Sequence, residues 1–365
     1  MADRLASIAF MPPITGWFDP TPKGGALRLA ANGYLPAHGD PAVRLPGLRR
    51  GDLVVLDGGR VGSVNGAAPD QLSERPEFSQ LGAVHPDRPL RLETDRASSP
   101  RTATIQRTID LVCPLGFGQR LLIVSPPKAG KTVTLQAVAE AVALNQPTAT
   151  LLILLVDERP EEVSEMVDWG RGEVIASSFD LPHERHVAVA DMVFENARRQ
   201  VELGKDVVIV LDSLTRLARS HNTAGGRGSG RTMSGGLDAN ALAKPKALFG
   251  AARAVPQGGS LTVIATALVE TDSRMDDVIF EEFKGTGNAE LRLSRELADR
   301  RTYPAVDIAA SGTRREELLG DAATVEAKQK LRRALVALPP EQGMQQLLSL
   351  LKRAPTNAEL LAGLK

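Results

Sequence analysis

The stretch Ser125-Pro-Pro-Lys-Ala-Gly-Lys-Thr132 decides the fold of this 365-residue chain. It follows an apolar run at 121–124 and precedes a segment with apolar residues at positions 135, 138, 139 and 142, which is the spacing of an amphipathic helix. Strand, loop and helix in this order match the phosphate-loop pattern G-x-x-x-x-G-K-[ST], except that Ser125 replaces the first glycine. Such a loop wraps backbone N–H groups around a phosphate, while Lys131 reaches the terminal phosphates and the Thr132 hydroxyl binds Mg²⁺. Gly-Lys-Thr alone often arises by chance, so the surrounding sequence has to decide.

Two further apolar runs end in acidic residues. Residues 151–156 lead into Asp157-Glu158, and residues 207–211 lead into Asp212. Because the carboxyl ends of parallel strands share the ligand-binding edge of a sheet, we expect Lys131, Glu158 and Asp212 to converge. Asp212 suits Mg²⁺ binding, and Glu158 suits activation of an attacking water. Either carboxylate alone is as often a helix cap, but the three together favour a nucleotide site.

The composition is that of a globular protein and excludes several classes. Hydrophobic residues make up 42% and charged residues 24%, and 44 basic residues balance 44 acidic ones, which excludes a disordered basic tail. The apolar runs are too short to span a membrane, and residues 1–10 lack a secretory signal, so we expect a cytoplasmic protein with no membrane partner. The single cysteine, Cys113, has apolar neighbours and is interpreted as core packing rather than a nucleophile.

The chain divides by pattern into two parts joined by a linker. Residues 1–95 alternate short apolar pieces with Pro and Gly, which predicts a small all-β domain. Residues 96–104 are polar and predict a linker. From 105 to 365, strand-like runs alternate with helical patterns, which predicts an α/β domain with a parallel sheet and C-terminal helices. Residues 261–266 predict a fourth strand of that sheet.

Two loops suit a polymer ligand. Residues 222–236 hold six glycines, two arginines and no acid, and residues 270–274 follow the fourth strand. A flexible linker is the alternative for the first loop, but its place in the middle of a domain favours a loop that grips a ligand.

Five arginines lie beyond the fourth strand. Each is most often a solvated surface residue. Hydrolysis of a nucleotide held between subunits, however, requires a cation at the developing phosphate charge, commonly an arginine contributed in trans, so some of them are candidates for this role. The five are Arg295, Arg300, Arg301, Arg314 and Arg315.

Long ungapped blocks of this sequence resemble the bacterial transcription termination factor Rho family. They cover about 105–320 closely and the tail through 355–359 more loosely. The blocks are residues 126–132, 157–163, 211–219, 234–242, 249–253 and 281–288.

The resemblance implies a RecA-like ATPase that forms a homohexameric ring, moves 5′ to 3′ along single-stranded RNA, and dissociates RNA polymerase elongation complexes. ATP and Mg²⁺ are the implied cofactors, with Thr132 and Asp212 at the metal. The implied catalytic residues are Glu158 as base, Lys131, and Arg314 with Arg301 from the neighbouring subunit. The implied nucleotide site consists of Ser125, Pro126, Pro127, Lys128, Ala129, Gly130, Lys131, Thr132, Val133, Arg159, Asp212 and Tyr303, the last stacking on adenine. The implied RNA-binding residues are Arg231, Thr232, Met233, Ser234, Gly235, Gly236, Thr271, Ser273 and Arg274.

The N-terminal part departs from the family pattern. Gly24, Ala26 and Ala42 stand where the family's OB/cold-shock-like domain has aromatic rings on which bases stack. Stacking contributes about 1 to 3 kcal/mol per base, so we expect RNA capture there to be degenerate. Residues 1–100 carry eleven basic and eleven acidic residues, so added positive charge does not compensate. The aromatic residues that remain, interpreted as core rather than stacking platforms, are Trp17, Phe18 and Tyr34.

The leading hypothesis is therefore an RNA-dependent ATPase and helicase that terminates transcription. The alternative is a Rho paralogue that binds ATP, loads RNA weakly and regulates termination. A different RecA-type ring motor is disfavoured by the block at 281–288.

Overall fold

Two β-sheets organise the chain in the computed structural model, which describes residues 12–22, 24–225, 234–238 and 240–364. The N-terminal sheet is antiparallel, with strand order β2-β1-β3-β4. Its strands are β1 (Ile14–Thr21), β2 (Gly24–Arg28), β3 (Leu53–Asp57) and β4 (Arg60–Val64).

The second sheet has eight strands in the order β12-β11-β5-β10-β8-β6-β7, with β9 paired to β10. Neighbouring strands from β11 to β7 are parallel, and β9 and β12 are antiparallel additions. A small antiparallel sheet followed by a mainly parallel one confirms the predicted fold class. The strands are β5 (Arg120–Ser125), β6 (Thr150–Glu158), β7 (Glu173–Ser178), β8 (Asp206–Asp212), β9 (Arg253–Ala254), β10 (Ser260–Leu268), β11 (Ala289–Arg292) and β12 (Gly312–Thr313).

Helices cover both faces of the large sheet, which explains why its central strands are continuous apolar runs. Leu121 and Ile123 of β5 pack on one face with α1, α2 and the C-terminal helices, and Leu122 and Val124 pack on the other with α4 to α7. None of the helices in the described ranges is long and apolar enough to cross a membrane. The helices are α1 (Pro100–Val112), α2 (Lys131–Asn145), α3 (Pro160–Trp169), α4 (His183–Val201), α5 (Leu214–Ala224), α6 (Ala243–Gly250), α7 (Arg274–Lys284), α8 (Arg295–Asp299), α9 (Ala322–Val336), α10 (Pro340–Arg353) and α11 (Asn357–Ala362).

Helix α1 begins inside the segment that the sequence predicts as a linker. Ser99 caps it by accepting a hydrogen bond from the Thr102 N–H, and Pro100 occupies the first turn, where its missing N–H costs nothing. The second half of 96–104 is therefore helical, because a polar Ser-Ser-Pro stretch is also a helix start. The division into domains stays a prediction.

The N-terminal sheet packs directly on α4 of the larger part. Gly51 has φ +88°, and a Cβ there would lie 2.4 Å from the Asn196 nitrogen, so only glycine allows this approach. The Asn196 amide donates to the Gly51 carbonyl at 2.9 Å. Trp17 and Tyr34 join the same core as the helices that cover this face of the large sheet.

Candidate nucleotide and nucleic-acid sites

The loop between β5 and α2 has the geometry of an anion cradle. Gly130 lies at φ +99°, a conformation that favours glycine, and it places Lys131 at the first position of α2. No side chain caps this helix, and the first N–H groups of a helix have no acceptor within it. Ser125 is buried, and its hydroxyl donates to the Pro126 carbonyl at 3.0 Å, so serine is accommodated where the pattern has glycine.

Lys131, Glu158 and Asp212 meet at the carboxyl edge of the large sheet, as the sequence predicts. The Lys131 Nζ lies 2.9 Å from Glu158 Oε1 and 2.6 Å from Asp212 Oδ1. Both carboxylates are almost completely buried. The Thr266 hydroxyl, from β10, donates to the same Asp212 oxygen at 2.8 Å. Two strands and one helix therefore bring charged groups to a single point, and a third strand adds a hydroxyl.

Burial and charge shift the protonation of this cluster. Burial, and secondarily the charge of Asp212, raise the pKa of Glu158 to about 7, although Lys131 and Arg216 oppose the shift. Burial acts to lower the pKa of Lys131, but the two carboxylates outweigh it, so that pKa is raised and the ammonium form persists. A carboxylate with a pKa near neutrality is suited to accept a proton from water.

A β-bulge sets the direction of Glu158. The register of β6 against β7 shifts between Val156 and Glu158, and Asp157 adopts φ +58°. A bulged residue bends its strand and re-aims the side chain that follows. No alternation of apolar and polar residues in the sequence signals this bulge.

Arg216 is a site residue that the sequence analysis did not assign. Its Nε lies 3.4 Å from Glu158 Oε1, and its guanidinium also contacts the Asp157 carboxylate at 3.4 Å and donates to the Asp157 carbonyl. The available signal was its place in the first turn of α5, immediately after the strand that carries Asp212.

The oxygen ligands present fit Mg²⁺ bound together with a nucleotide. Asp212 offers a carboxylate, and Thr132 offers a hydroxyl from the first turn of α2, next to Lys131, which contacts Asp212. The described residues contain no group of three or more His, Cys, Asp or Glu that would hold a metal. Mg²⁺ with substrate phosphates needs only one or two protein carboxylates, so this arrangement agrees with a metal that arrives with its nucleotide.

The remaining predicted nucleotide residues lie around the rim of the same edge. Lys128 and Arg159 are exposed, on the loop and directly after Glu158. Tyr303 is half-buried, its hydroxyl donates to the Ala298 carbonyl at 3.3 Å, and the Arg101 guanidinium lies 5.5 Å from its ring. Arg301, which is exposed, and Tyr303 both follow β11. The carboxyl end of β11 adjoins that of β5.

Arg314 lies at the opposite edge of the sheet. It follows β12, and its N–H donates to the carbonyl of Asn288, just before β11. β5 runs from Arg120 near this edge to Ser125 at the phosphate loop, and six residues of strand span about 20 Å. Exposed Arg314 therefore does not reach the Lys131 cluster of its own chain.

The described parts of the two predicted RNA loops touch each other. Ser234–Gly236 forms a 3₁₀ turn against the start of α7, and a Cβ on Gly235 would lie 2.7 Å from the Met275 nitrogen. Arg274 is exposed at the first position of α7, and Ser273 caps the helix. The predicted RNA-binding residues outside the described ranges are Arg231, Thr232 and Met233.

The loop at 271–274 is also connected to the nucleotide edge. The Thr271 hydroxyl donates to buried Asp276 at 2.6 Å, and Arg219 of α5 donates two hydrogen bonds to the same carboxylate, at 2.7 and 2.6 Å. Arg219 lies one helical turn after Arg216, which contacts Glu158. A single helix therefore contacts both sites.

In the N-terminal sheet, the predicted stacking positions carry no ring. Ala26 and Ala42 face each other in an antiparallel bridge. Nearby Arg28 is neutralised by Asp19 and Asp40, each at 2.7 Å.

The remaining N-terminal aromatic residues are buried. Trp17 and Tyr34 stack with ring centroids 3.6 Å apart, and Phe18 is 6% exposed, so these rings serve the core.

Comparison with known proteins relates the chain to a nucleotide-binding domain family and to Rho factors. The nucleotide-binding domain family of ATP synthase alpha and beta subunits matches residues 106–313. Transcription termination factor Rho of Gemmatimonas aurantiaca is 58% identical over 96% of this chain, which spans only 50% of that relative's length. Rho of Streptomyces coelicolor is 54% identical over 93% of this chain and 82% of its own length. The assembled ATPase EscN of an enteropathogenic E. coli type III secretion system superposes with a TM-score of 0.60 at 22% identity, covering 90% of this chain and 82% of its own, which shows a shared fold.

Proposed function

The chain belongs to the transcription termination factor Rho family, and on that premise we propose that it is an RNA-dependent ATPase and 5′ to 3′ RNA–DNA helicase. It acts as a homohexamer on single-stranded RNA and releases RNA polymerase elongation complexes in the cytoplasm. The observation that carries the proposal is the buried Lys131 bridge between Glu158 and Asp212 beside an anion cradle.

Lys131 changes partners during the reaction. Without nucleotide, its ammonium satisfies two buried carboxylates. A triphosphate held by the N–H groups at the start of α2 offers a stronger anion, so Lys131 turns to the phosphates. Mg²⁺ bound with the nucleotide supplies positive charge that neutralises phosphate oxygens. Asp212 and the Thr132 hydroxyl are the groups that hold it.

Glu158 receives the proton of the attacking water. Departure of Lys131 removes one of the two cations that lower its pKa, while Arg216 stays near Glu158 Oε1 and fixes its orientation. The carboxylate is thus positioned and basic when the phosphate is in place.

Arg314 completes the site of a neighbouring chain. Its distance from its own cluster excludes a role in cis, and a charge supplied in trans requires a head-to-tail contact. Repeated around an axis, that contact closes a ring, which agrees with a homohexamer. Arg301 and Tyr303 contribute from the rim.

The alternative of a regulatory paralogue is not favoured. A subunit that only bound ATP would not need Glu158 buried, re-aimed by a bulge and held by Arg216. These features serve water activation, which a binding protein does not perform.

The test is ATP hydrolysis by the purified full chain, with and without cytidine-rich single-stranded RNA. We expect RNA to stimulate turnover and Glu158→Gln to abolish it while nucleotide binding persists. Turnover that ignores RNA, or a chain that stays monomeric with ATP and RNA present, contradicts the proposal.

A further inference from the structure

A short set of hydrogen bonds fixes Arg314 from behind. The Arg314 N–H donates to the Asn288 carbonyl at 2.9 Å. The Gln119 side-chain amide donates to the same carbonyl at 3.1 Å and to the Asn288 side-chain oxygen at 2.7 Å. The Arg120 N–H adds a bond to that oxygen at 2.8 Å. Asn288 is thus clamped on both of its oxygens, and Arg314 is attached to the clamped residue.

Gln119 itself is buried and held through its backbone. It is 1% exposed, and its carbonyl accepts a hydrogen bond from the Val263 N–H at 2.9 Å. Gly118, just before it, lies at φ +93°, and a Cβ there would come within 2.3 Å of the Ala254 nitrogen. The backbone at Gly118 therefore packs closely against β9, and this contact fixes the position of the Gln119 side-chain amide.

The position of Arg314 depends on its backbone, which the pairing of Thr313 with Ala289 also supports. Its guanidinium has no acidic partner in the part of the chain that the structure describes. The side chain borders a cavity of about 140 Å³ that Lys284 and Glu290 also line. The next residue, Arg315, turns away at φ +60°, so Arg314 is the last residue held by the sheet edge.

We propose that Gln119 is a positioning residue for ATP hydrolysis in the neighbouring subunit: through Asn288 it fixes the backbone from which Arg314 reaches the neighbour's phosphate. This inference rests on the proposed function. Gln119 would thus act on the neighbouring subunit, although it lies one position before β5, the strand that leads to the phosphate loop of its own chain.

The test compares Gln119→Met, which keeps the side-chain volume and removes the amide, with Arg314→Ala and the double variant, in the full chain with RNA. A misplaced transition-state group lowers kcat by about 10- to 100-fold, so we expect that loss for Gln119→Met. Because the lost interaction belongs to the transition state, KM for ATP stays within about twofold. In the Arg314→Ala background, Gln119→Met adds no further loss, since the residue acts only through Arg314.

Gln106→Met is the matched control. Gln106 is equally buried, and its amide donates to one backbone carbonyl, of Ala137, at 3.0 Å. We expect it to leave kcat unchanged. If Gln119→Met does not assemble, Gln119→Glu keeps the shape, removes the donor and carries the same expectation.

Two results overturn the proposal: wild-type kcat in Gln119→Met, or an equal additional loss in the Arg314→Ala background, which would indicate an effect along β5 on the chain's own site. An Arg314→Ala chain with normal turnover would instead remove the premise of catalysis in trans. The two failures are therefore distinguishable.

Discussion

The N-terminal sheet and the carboxyl edge of the large sheet both contain buried carboxylates. The two regions differ in how fully hydrogen bonds and ion pairs satisfy them. Asp52 is fully buried and accepts hydrogen bonds from Asn65 at 2.8 Å, from the Arg49 N–H at 2.6 Å, and from Arg75 at 2.5 and 2.6 Å. Both oxygens are satisfied by partners of the same small unit. This network, which Arg49 extends to Glu202 of the larger part at 3.0 Å, holds the structure together and leaves neither Asp52 oxygen free for a ligand.

At the carboxyl edge, by contrast, two carboxylates share one ammonium. Lys131 is the common partner of Glu158 and Asp212, and it sits beside helix N–H groups that lack acceptors within α2. Burial keeps the pKa of Glu158 at about 7, so the charge of this cluster is only just maintained near neutral pH. Buried charges that are only partly paired indicate a site where a bound ligand can supply the missing partner. A buried carboxylate with both oxygens paired indicates a structural role.

The largest effect that follows from this comparison is on stability. Arg75→Met leaves Asp52 buried without its cation, and breaking a buried pair in this way costs about 3 to 5 kcal/mol of unfolding free energy. Denaturant unfolding monitored by Trp17, which lies in the adjoining core, measures it. Arg88→Met is the control, because its pair with Asp206 is half-exposed and contributes less than about 1 kcal/mol. Equal costs for the two variants would contradict the distinction.

Lys131→Met removes the shared cation of the other cluster. We expect it to affect ATP turnover more than stability. Glu158 can take up a proton and Arg216 remains beside it, so we expect a smaller loss of stability than for Arg75→Met. Removing a charge that stabilises the transition state lowers kcat by about 100- to 1,000-fold. Unfolding and ATP turnover measured on the same preparations check both halves. A Lys131→Met chain as destabilised as Arg75→Met would show that this cluster is structural too.

The N-terminal sheet keeps its structural centre while lacking stacking rings, and a ring can be restored. Ala42 is exposed opposite Ala26, so Ala42→Tyr presents an aromatic face to solvent. Stacking of one base contributes about 1 to 3 kcal/mol, or about 5- to 150-fold in affinity for short cytidine oligonucleotides. Ala42→Leu, which adds apolar bulk without a ring, should leave affinity unchanged. Fluorescence anisotropy at fixed salt measures both variants, and equal gains would exclude stacking as the cause.

Sequence patterns predicted the features that local periodicity or a fixed motif controls. The strands that end at Glu158 and Asp212, and the loop before Lys131, are of this kind. What the patterns missed depends on contacts between distant segments. The bulge at Asp157 has no periodic signal, and the Asp52–Arg75 network joins positions 23 residues apart in a segment rich in Pro and Gly.

The support of Arg314 by Gln119 likewise joins segments that are far apart in sequence, with Gln119 just before β5 and Asn288 just before β11. Its geometry exists only once the sheet has formed.

The smallest expected effect is a pH dependence that arises from Glu158. Because Glu158 must be ionised to accept a proton, kcat/KM for ATP should rise with pH and level off above a pKa of about 7.

The same raised pKa means that the folded state favours protonated Glu158, so its contribution to stability is present in acid and is lost as pH rises through about 7. Glu158→Gln should remove that decline in the melting temperature. His186, which lies beside Asp157, does not explain a loss of stability with rising pH. Burial lowers the pKa of His186, and a lowered histidine pKa has the opposite effect on stability. If the decline persists in Glu158→Gln, the titrating group lies elsewhere.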